Sequence, residues 1–256
     1  MSEIIKYMFD IVKCQIEMIQ DRNYPLDEEE LNILKMTKDQ FVDFYTQRLN
    51  EENTNIYDYF TKYYYADNMN ELYVKYDNPV ENEGEGINVN KIKLLLTTAL
   101  EDDHKPDIIY ITGQNLNSAA SKEFYNYFLK KTHFLHSELR YNPTKHFSNS
   151  KFELLTRAEV FQFVRENKIN NIRNIPYMTD IDPIVLYYGL VPGNVVRITR
   201  THNFYDSILD SSISYRLVVK HPKVEIKKRE TKTAGTKDSS ATGGTGGGKN
   251  DDSGDM

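Results

Sequence analysis

The segment from Thr179 to Arg200 limits the possible folds of this chain most strongly, because almost every position in it has a local structural role. Asp182 can accept a hydrogen bond at the N-terminus of a helix whose first residue is Pro183, where the missing N–H of proline costs nothing. Gly189 fits the left-handed residue that ends such a helix. The spacing predicts a short helix with a fixed boundary at each end.

A turn and a strand follow this helix. Pro192-Gly193 fits the central positions of a type II turn, in which proline presets φ and glycine adopts the positive φ. Asn194 to Arg200 is typical of a strand, and Tyr215-Arg216-Leu217-Val218 predicts its hairpin partner. The residues expected to face outward on the first strand include Val195, Ile198, Arg197 and Arg200. None of these positions supplies chemistry, so the pattern predicts a rigid unit that docks.

The first 145 residues change their pattern at Glu71. Before that point, apolar residues at helical spacing predict a first helix, and capping boxes at Asp27 and Thr37 begin two more. Residues 50–70 are polar and rich in tyrosine, which favours an extended excursion. From Glu71 the elements alternate, with predicted strands over 71–76, 107–112 and 133–139 and helices over 88–100 and 118–130. The alternation predicts an α/β domain over residues 1–145.

A domain boundary is expected between Arg140 and Lys151, where a proline and several polar residues show no periodicity. Beyond it, Thr156 and Glu159 form a capping box at the start of a helix. Together with the hairpin, this helix predicts a small α+β domain over residues 146–222. Residues 223–256 are rich in Gly, Ser, Thr and Asp and cannot bury enough apolar surface to offset their ordering entropy, which predicts a disordered tail.

Charge and hydropathy exclude several classes of protein. The formal net charge of −6 argues against a free-standing nucleic-acid binder, but it allows a local contact inside a larger assembly. No apolar run approaches the ~20 residues of a membrane span, so no membrane partner is expected. The acidic residues near the N-terminus are not typical of a signal peptide. A single cysteine, Cys14, excludes an internal disulfide and fits a reducing compartment.

Several motifs together carry a resemblance to a known family. They are the capping helix at Thr156, Asp182-Pro183, Tyr187-Tyr188-Gly189-Leu190, Gly193, Val195-Val196, Arg200 and Tyr215-Arg216-Leu217-Val218. The chain resembles the fifth-subunit family of DNA-directed RNA polymerases, which has an archaeal counterpart. A weaker resemblance, at Asp21-Arg22-Asn23-Tyr24 and Asp27–Leu31, makes the chain similar to the eukaryotic type. Divergence after His146, a longer hairpin, the 50–70 excursion and the tail favour a homologue from a large DNA virus.

The resemblance implies a noncatalytic role. The C-terminal domain of the family docks on the largest polymerase subunit, and the N-terminal domain forms part of a jaw beside downstream DNA. Catalysis belongs to the two largest subunits, so no catalytic residue, cofactor or metal is expected here. The expected partners are the largest subunit, other polymerase subunits and downstream DNA. The expected location is the nucleus for a cellular protein, or the virion and the host cell (nucleus or cytoplasmic factory) for a viral one.

Two sets of candidate site residues follow. The partner-binding set consists of Asp182, Pro183, Tyr188, Gly189, Gly193, Arg197, Arg200, Tyr215 and Arg216. Its arginines form either a docking face or a solvated sheet face, and its tyrosines are either core residues or interface anchors. The DNA-proximal set lies where a helix begins, at a position that favours a phosphate, and consists of Gln114, Asn117, Ser118 and Lys122. The simpler interpretation of Ser118 is an N-cap.

Two other functions are weaker hypotheses. A nuclease on the N-terminal domain, with Asp107 as its acid, needs an acid and a lysine two residues apart on one strand face, and Lys75 has Tyr73 at that position. A free transcription regulator is opposed by the net negative charge. His133 and His136 have a spacing that suits a metal on a helix, but a strand is predicted there and no carboxylate or cysteine cluster completes a site.

Overall fold

The computed structural model describes residues 2–66, 70–77, 86–100, 105–127, 130–145, 150–201 and 211–221. The predicted disordered tail over 223–256, His146 and most of the long hairpin loop lie outside these residues. The division into domains near residue 146 stays a prediction.

The described residues form helices and strands in two groups. The helices are α1 Ser2–Asp21, α2 Glu28–Lys35, α3 Lys38–Glu52, α4 Ile56–Tyr59, α5 Val89–Ala99, α6 Ser118–Asn126, α7 Arg157–Glu166 and α8 Pro183–Tyr188. The strands are β1 Lys62–Tyr65, β2 Glu71–Tyr76, β3 Asp107–Thr112, β4 Lys131–Leu135, β5 Ser150–Leu154, β6 Tyr177–Thr179, β7 Val195–Thr201 and β8 Ser211–Val219. Short 3-10 turns lie at Pro143–Lys145 and Ile172–Asn174. This mixture confirms the predicted α/β and α+β classes.

The first sheet has the order β1-β2-β3-β4, with β1 antiparallel and the other strands parallel. Parallel neighbours require crossover helices, and α5 and α6 supply them. These helices pack on one face of the sheet, against a cluster that includes Tyr73, Ile108 and Tyr110. Helices α1, α2 and α3 pack on the other face, where the cluster includes Val74, Ile109 and Ile111. Alternate residues of each strand therefore pack against different layers of helices.

Over residues 50–66 the chain does not form the extended excursion predicted for 50–70, so that prediction is wrong. These residues contain the end of α3, the short helix α4 and the edge strand β1, which pairs with β2. Tyr57, Phe60 and Tyr64 are buried there. Tyrosine buries its ring while its hydroxyl finds a partner, and the hydroxyl of Tyr64 donates to the carboxylate of Glu30. Composition made the segment look polar, whereas its rings belong to the core.

The second sheet has the order β5-β7-β8-β6 and is covered on both faces. Helix α7 packs on one face, near Val195 and Leu217. Helix α8 packs on the other, near Val196 and Ile198. The prediction that Val195 and Ile198 face outward is therefore wrong, because each face of β7 has its own helical cover. The exposed fractions of the two side chains are 1% and 4%.

Buried His136 and half-buried His133 predict a pH dependence of stability. Burial lowers the pKa values of His133 and His136 from 6.5 to about 4. Because the folded state binds fewer protons than the unfolded state between these values, stability is lost as the pH falls from 6.5 towards 4. We expect the free energy of unfolding to drop by about 1–2 kcal/mol per histidine between pH 7 and pH 5. Urea unfolding at both pH values measures the drop, and a glutamine at both positions should abolish most of it. Equal stability of the wild-type chain at the two pH values would contradict the expectation.

No described helix combines the length and hydropathy that crossing a membrane requires.

Candidate functional sites

The helix–turn–hairpin predicted near the C-terminus forms as expected. Asp182 Oδ1 accepts a hydrogen bond of 2.9 Å from the N–H of Ile184, and Pro183 is the first residue of α8. Gly189 ends the helix at a φ of 58°. The turn that follows is closed by the Asn194 N–H, which donates to the Val191 carbonyl oxygen at 3.0 Å. Its Gly193 has a φ of 101°, which suits the predicted type II turn.

The C-terminal end of α8 is occupied by an arginine from the other end of the sequence. Arg22, just after α1, donates from Nε to the Tyr187 carbonyl oxygen at 2.8 Å and from Nη2 to the Leu186 carbonyl oxygen at 2.7 Å. The last carbonyls of a helix lack the usual partners one turn on, and only the Gly189 N–H reaches the Leu186 carbonyl, at 3.1 Å, so the guanidinium completes the capping of this end. A Cβ on Gly189 would lie 2.9 Å from Arg22 Cζ. Gly189 is buried, and its contact is with the same chain rather than with a partner.

Hydrogen bonds of the Tyr187 side chain extend this junction between α1 and α8. The Tyr187 hydroxyl donates to Asp21 Oδ2 at 2.8 Å and accepts from Asn142 Nδ2 at 3.0 Å. The same amide nitrogen donates to Glu17 Oε2 at 2.7 Å. Burial lowers the pKa of Arg22 to about 10, and burial with the bond to Asp21 raises the pKa of Tyr187. The junction is therefore a buried polar network that fixes α8 on the N-terminal core.

Sequence reasoning gave Arg22 no role, although the resemblance included Asp21-Arg22-Asn23-Tyr24. No local pattern connects this block to α8, which lies more than 160 residues away in the sequence. The signals present were an arginine directly after a long apolar helix and a helix ending in glycine without a nearby basic residue.

The three candidate arginines do not share one face of the second sheet. Arg197 pairs in register with Tyr215, and Arg216 pairs with Val196. Since alternate residues of a strand point to opposite faces, Arg200 and Arg216 lie on the α8 face, whereas Arg197 and Tyr215 lie on the α7 face. A single docking face containing all three arginines is therefore excluded.

The three arginines differ in the partners that they have within the chain. Arg197 Nε donates to Glu153 Oε2 at 2.8 Å, and the bond to this carboxylate raises the pKa of the arginine. Arg200 makes one long contact, from Nη1 to the Ser214 hydroxyl at 3.5 Å. Arg216 is half-buried, and its side chain forms no hydrogen bond or ion pair with the described part of the chain. Arg200 and Arg216 therefore remain the better candidates for binding a partner.

The two candidate tyrosines pack within the chain. The Tyr215 ring stacks on Phe163 of α7 with a distance of 3.9 Å between ring centroids. Tyr188 is half-buried, packs on the N-terminal core and lies 6.4 Å from the Phe152 ring. Both are partly exposed, so each combines an intramolecular packing role with a reachable edge.

A cleft of about 410 Å³ separates the first sheet from the second and contains Asp107, the acid of the nuclease hypothesis. Asp107 Oδ1 accepts a hydrogen bond of 3.2 Å from the Lys130 backbone N–H. Burial raises the pKa of Asp107 and lowers that of Lys130. The positive charges of Lys130 and Arg22 partly offset the first effect, because they lower the pKa of Asp107. Among the described residues, no group of three or more His, Cys, Asp or Glu side chains is placed to bind a metal ion.

Of the four DNA-proximal candidates, Gln114 and Asn117 lie in the loop after β3, and Ser118 and Lys122 lie on α6. Asn117, not Ser118, is the N-cap of α6, because its side chain accepts from the Ala120 N–H at 2.8 Å. The N-cap interpretation of Ser118 is therefore wrong, and its hydroxyl is exposed on the first turn of the helix. Gln114 is half-buried, whereas Asn117, Ser118 and Lys122 are exposed. The turn is held by the Ile87 N–H, which donates to the Asn115 carbonyl oxygen at 2.9 Å.

Comparison with known proteins shows similarity to RNA polymerase subunits. The model of the RNA polymerase Rpb5 C-terminal domain matches residues 141–218, which contain the whole second sheet with α7 and α8 except the last residue of β8. The chain is similar to RNA polymerase subunit 5 proteins over most of its length. It is 24% identical over 207 residues to the DNA-directed RNA polymerases IV and V subunit 5B of Arabidopsis thaliana, covering 80% of this chain and 87% of that protein. It is 26% identical over 225 residues to the DNA-directed RNA polymerases I, II, and III subunit RPABC1 of Caenorhabditis briggsae, covering 83% and 95%. The same subunit of Caenorhabditis elegans gives the same identity and coverage.

Proposed function

We propose that the chain is a noncatalytic subunit of a multisubunit DNA-directed RNA polymerase. The observation that carries the proposal is the subunit 5 likeness, which spans four fifths of the chain and coincides at its C-terminal end with the helix–turn–hairpin. A cellular protein of this kind would act in the nucleus. A viral homologue would act in the virion and the host cell.

We place docking on the largest subunit at the C-terminal domain. Arg200 and Arg216 support this because they lie on one face and neither pairs with a carboxylate in the described residues. Arginine presents a planar fork of donors that matches carboxylates and backbone carbonyls, and it is enriched at the cores of interfaces. The rigid caps and turn would present this fork in one orientation.

The N-terminal domain would form part of the jaw beside downstream DNA. The turn before α6 presents exposed Asn117, Ser118 and Lys122, with Gln114 half-buried behind them. Free backbone N–H groups at the start of a helix attract a phosphate. The net charge of −6 means that this contact would require the assembled enzyme rather than the isolated chain.

Purification of tagged full-length chain from its native source tests the proposal. Mass spectrometry of the co-purified proteins should detect the largest subunit of an RNA polymerase in near-equal amount. Purification that never recovers such a subunit would refute a polymerase role.

Charge reversal on the α8 face should weaken assembly. We expect Arg200→Glu combined with Arg216→Glu to lower recovery of the largest subunit about tenfold or more, since a docking cation becomes a repelling anion. Lys93→Glu is the control, because Lys93 is an exposed cation on α5 without an ion pair among the described residues. Circular dichroism checks that both variants fold. Normal recovery of the largest subunit with the double variant would contradict docking through this face.

A further inference from the structure

Helix α7 carries on its outer side a surface that neither the fold nor the proposed docking face uses. The helix buries none of its residues completely. Val160 and Phe163 pack on the second sheet, while Phe161 has an exposed fraction of 70%, the highest of the large apolar residues described. An aromatic ring exposed to this extent on a helix with a packed opposite side gains nothing for folding.

Two arginines flank this ring. Arg157 lies four residues before Phe161 and Arg165 four residues after it, so the three side chains form one line along the helix. We call Arg157, Phe161 and Arg165 the α7 stripe. Both arginines are exposed, and neither side chain has an ion pair or hydrogen bond within the described ranges.

The acidic groups of α7 and of the preceding strand β5 already have partners. Glu159 accepts the N-cap hydrogen bonds of Thr156, and Glu166 accepts from Gln162 at 2.7 Å. Glu153 binds Arg197 and Lys151. The cations of the α7 stripe therefore remain available, and arginine with an aromatic residue is the combination that interfaces favour.

We propose that the α7 stripe is a docking surface for an acidic helical segment of another protein. Arg157 and Arg165 are separated by about 12 Å along the helix axis, at 1.5 Å per residue. A partner helix matches this spacing when it presents an acid, an apolar residue and a second acid, each four residues after the last. The apolar side chain covers Phe161 and the acids pair with the arginines.

A nucleic acid fits the stripe less well. Its backbone needs a continuous track of cations, whereas Glu159 and Glu166 lie on the same short helix as the two arginines. Charge complementarity together with the exposed ring therefore selects an acidic peptide.

Fluorescence anisotropy with full-length chain and a labelled synthetic peptide tests the inference. The peptide is an alanine–glutamine helix with glutamate, leucine and glutamate at successive spacings of four residues, and a scrambled peptide has the same composition. We expect the ordered peptide to bind about tenfold tighter than the scrambled one, with an affinity that falls as salt is added. Phe161→Ala, and Arg157→Glu with Arg165→Glu, should each remove that difference.

Matched controls lie on α5. Leu94→Ala removes a side chain with an exposed fraction of 68%, and Lys93→Glu reverses an exposed cation. Both should leave peptide binding unchanged. Equal binding of the two peptides, or no binding of either, would overturn the inference. So would preferential binding of a thymidine oligonucleotide, or self-association of the chain that Phe161→Ala abolishes.

Recovery of the largest polymerase subunit separates this surface from the proposed function. The stripe variants should leave that recovery unchanged, since the docking face proposed above lies on the opposite side of the second sheet. Loss of assembly in these variants would instead assign the α7 stripe to polymerase docking.

Discussion

Replacing Arg22 by alanine is expected to lower the free energy of unfolding by about 2–4 kcal/mol. Burial desolvates the guanidinium, which donates to the Leu186 and Tyr187 carbonyl oxygens at 2.7 and 2.8 Å. The variant leaves both acceptors without these charged donors and opens a void beside the cleft. Because the chain contains no tryptophan, urea unfolding is best followed by far-UV circular dichroism.

Arg48→Ala is the control for this experiment. Arg48 has a side-chain exposed fraction of 40% and pairs with Glu52 within one helix and, at 3.9 Å, with Glu29, so solvent screens both pairs and its loss should cost far less than the loss of Arg22. A cost for Arg22→Ala as small as that of Arg48→Ala would show that the capping of α8 contributes nothing to stability.

The contacts of Arg22 show that the motif from Asp182 to Gly189, which this chain shares with subunit 5 proteins, has a role in internal packing. Tyr187 and Gly189 are buried at the junction with α1, and Asp182 caps α8. Much of the motif is therefore used to hold one short helix between the second sheet and α1. Under the docking proposed above, the residues left for a partner are the half-exposed ones, chiefly Arg200 and Arg216. A family motif here combines internal packing with a smaller external surface.

Local features could be predicted from the sequence because their causes lie within a few residues. The caps of α2, α3, α7 and α8 and the turn at Gly193 depend on neighbours up to four positions away, and all of them form. Strands β2 and β3 were also predictable, with the same bounds, from their β-branched and aromatic residues. Strand β4 begins at Lys131, two residues before the predicted start, because strand ends depend on pairing with a neighbour.

Features that depend on distant residues were missed. The burial of Tyr57 and Tyr64 depends on helices and strands elsewhere in the chain, which a polar-looking composition conceals. The position of Arg22 depends on a contact across more than 160 residues. The placement of the arginines on two faces could have been predicted from the sequence. Arg197 and Arg200 are three positions apart, and residues an odd number of positions apart on a strand point to opposite faces.

Replacing Gly189 by alanine should lower the free energy of unfolding by about 2–4 kcal/mol. Its φ of 58° disfavours a residue with a Cβ, and that Cβ would lie 2.9 Å from Arg22 Cζ, closer than van der Waals contact allows. Because carbonyl oxygens hold the guanidinium on one side, it cannot move away without losing its hydrogen bonds. Urea unfolding measures the loss, with Gly193→Ala as the matched control.

The control separates backbone strain from the steric clash. Gly193 also has a positive φ, 101°, but a Cβ there meets no atom within 4 Å, so Gly193→Ala carries the conformational cost alone. In a chain that already has Arg22→Ala, the cost of Gly189→Ala should fall towards that of Gly193→Ala, giving a coupling of about 1–3 kcal/mol. Gly193→Ala should show no coupling with Arg22→Ala. Additive effects at Gly189 and Arg22, within about 0.5 kcal/mol, would mean that the guanidinium moves freely and does not fix α8 on the N-terminal core.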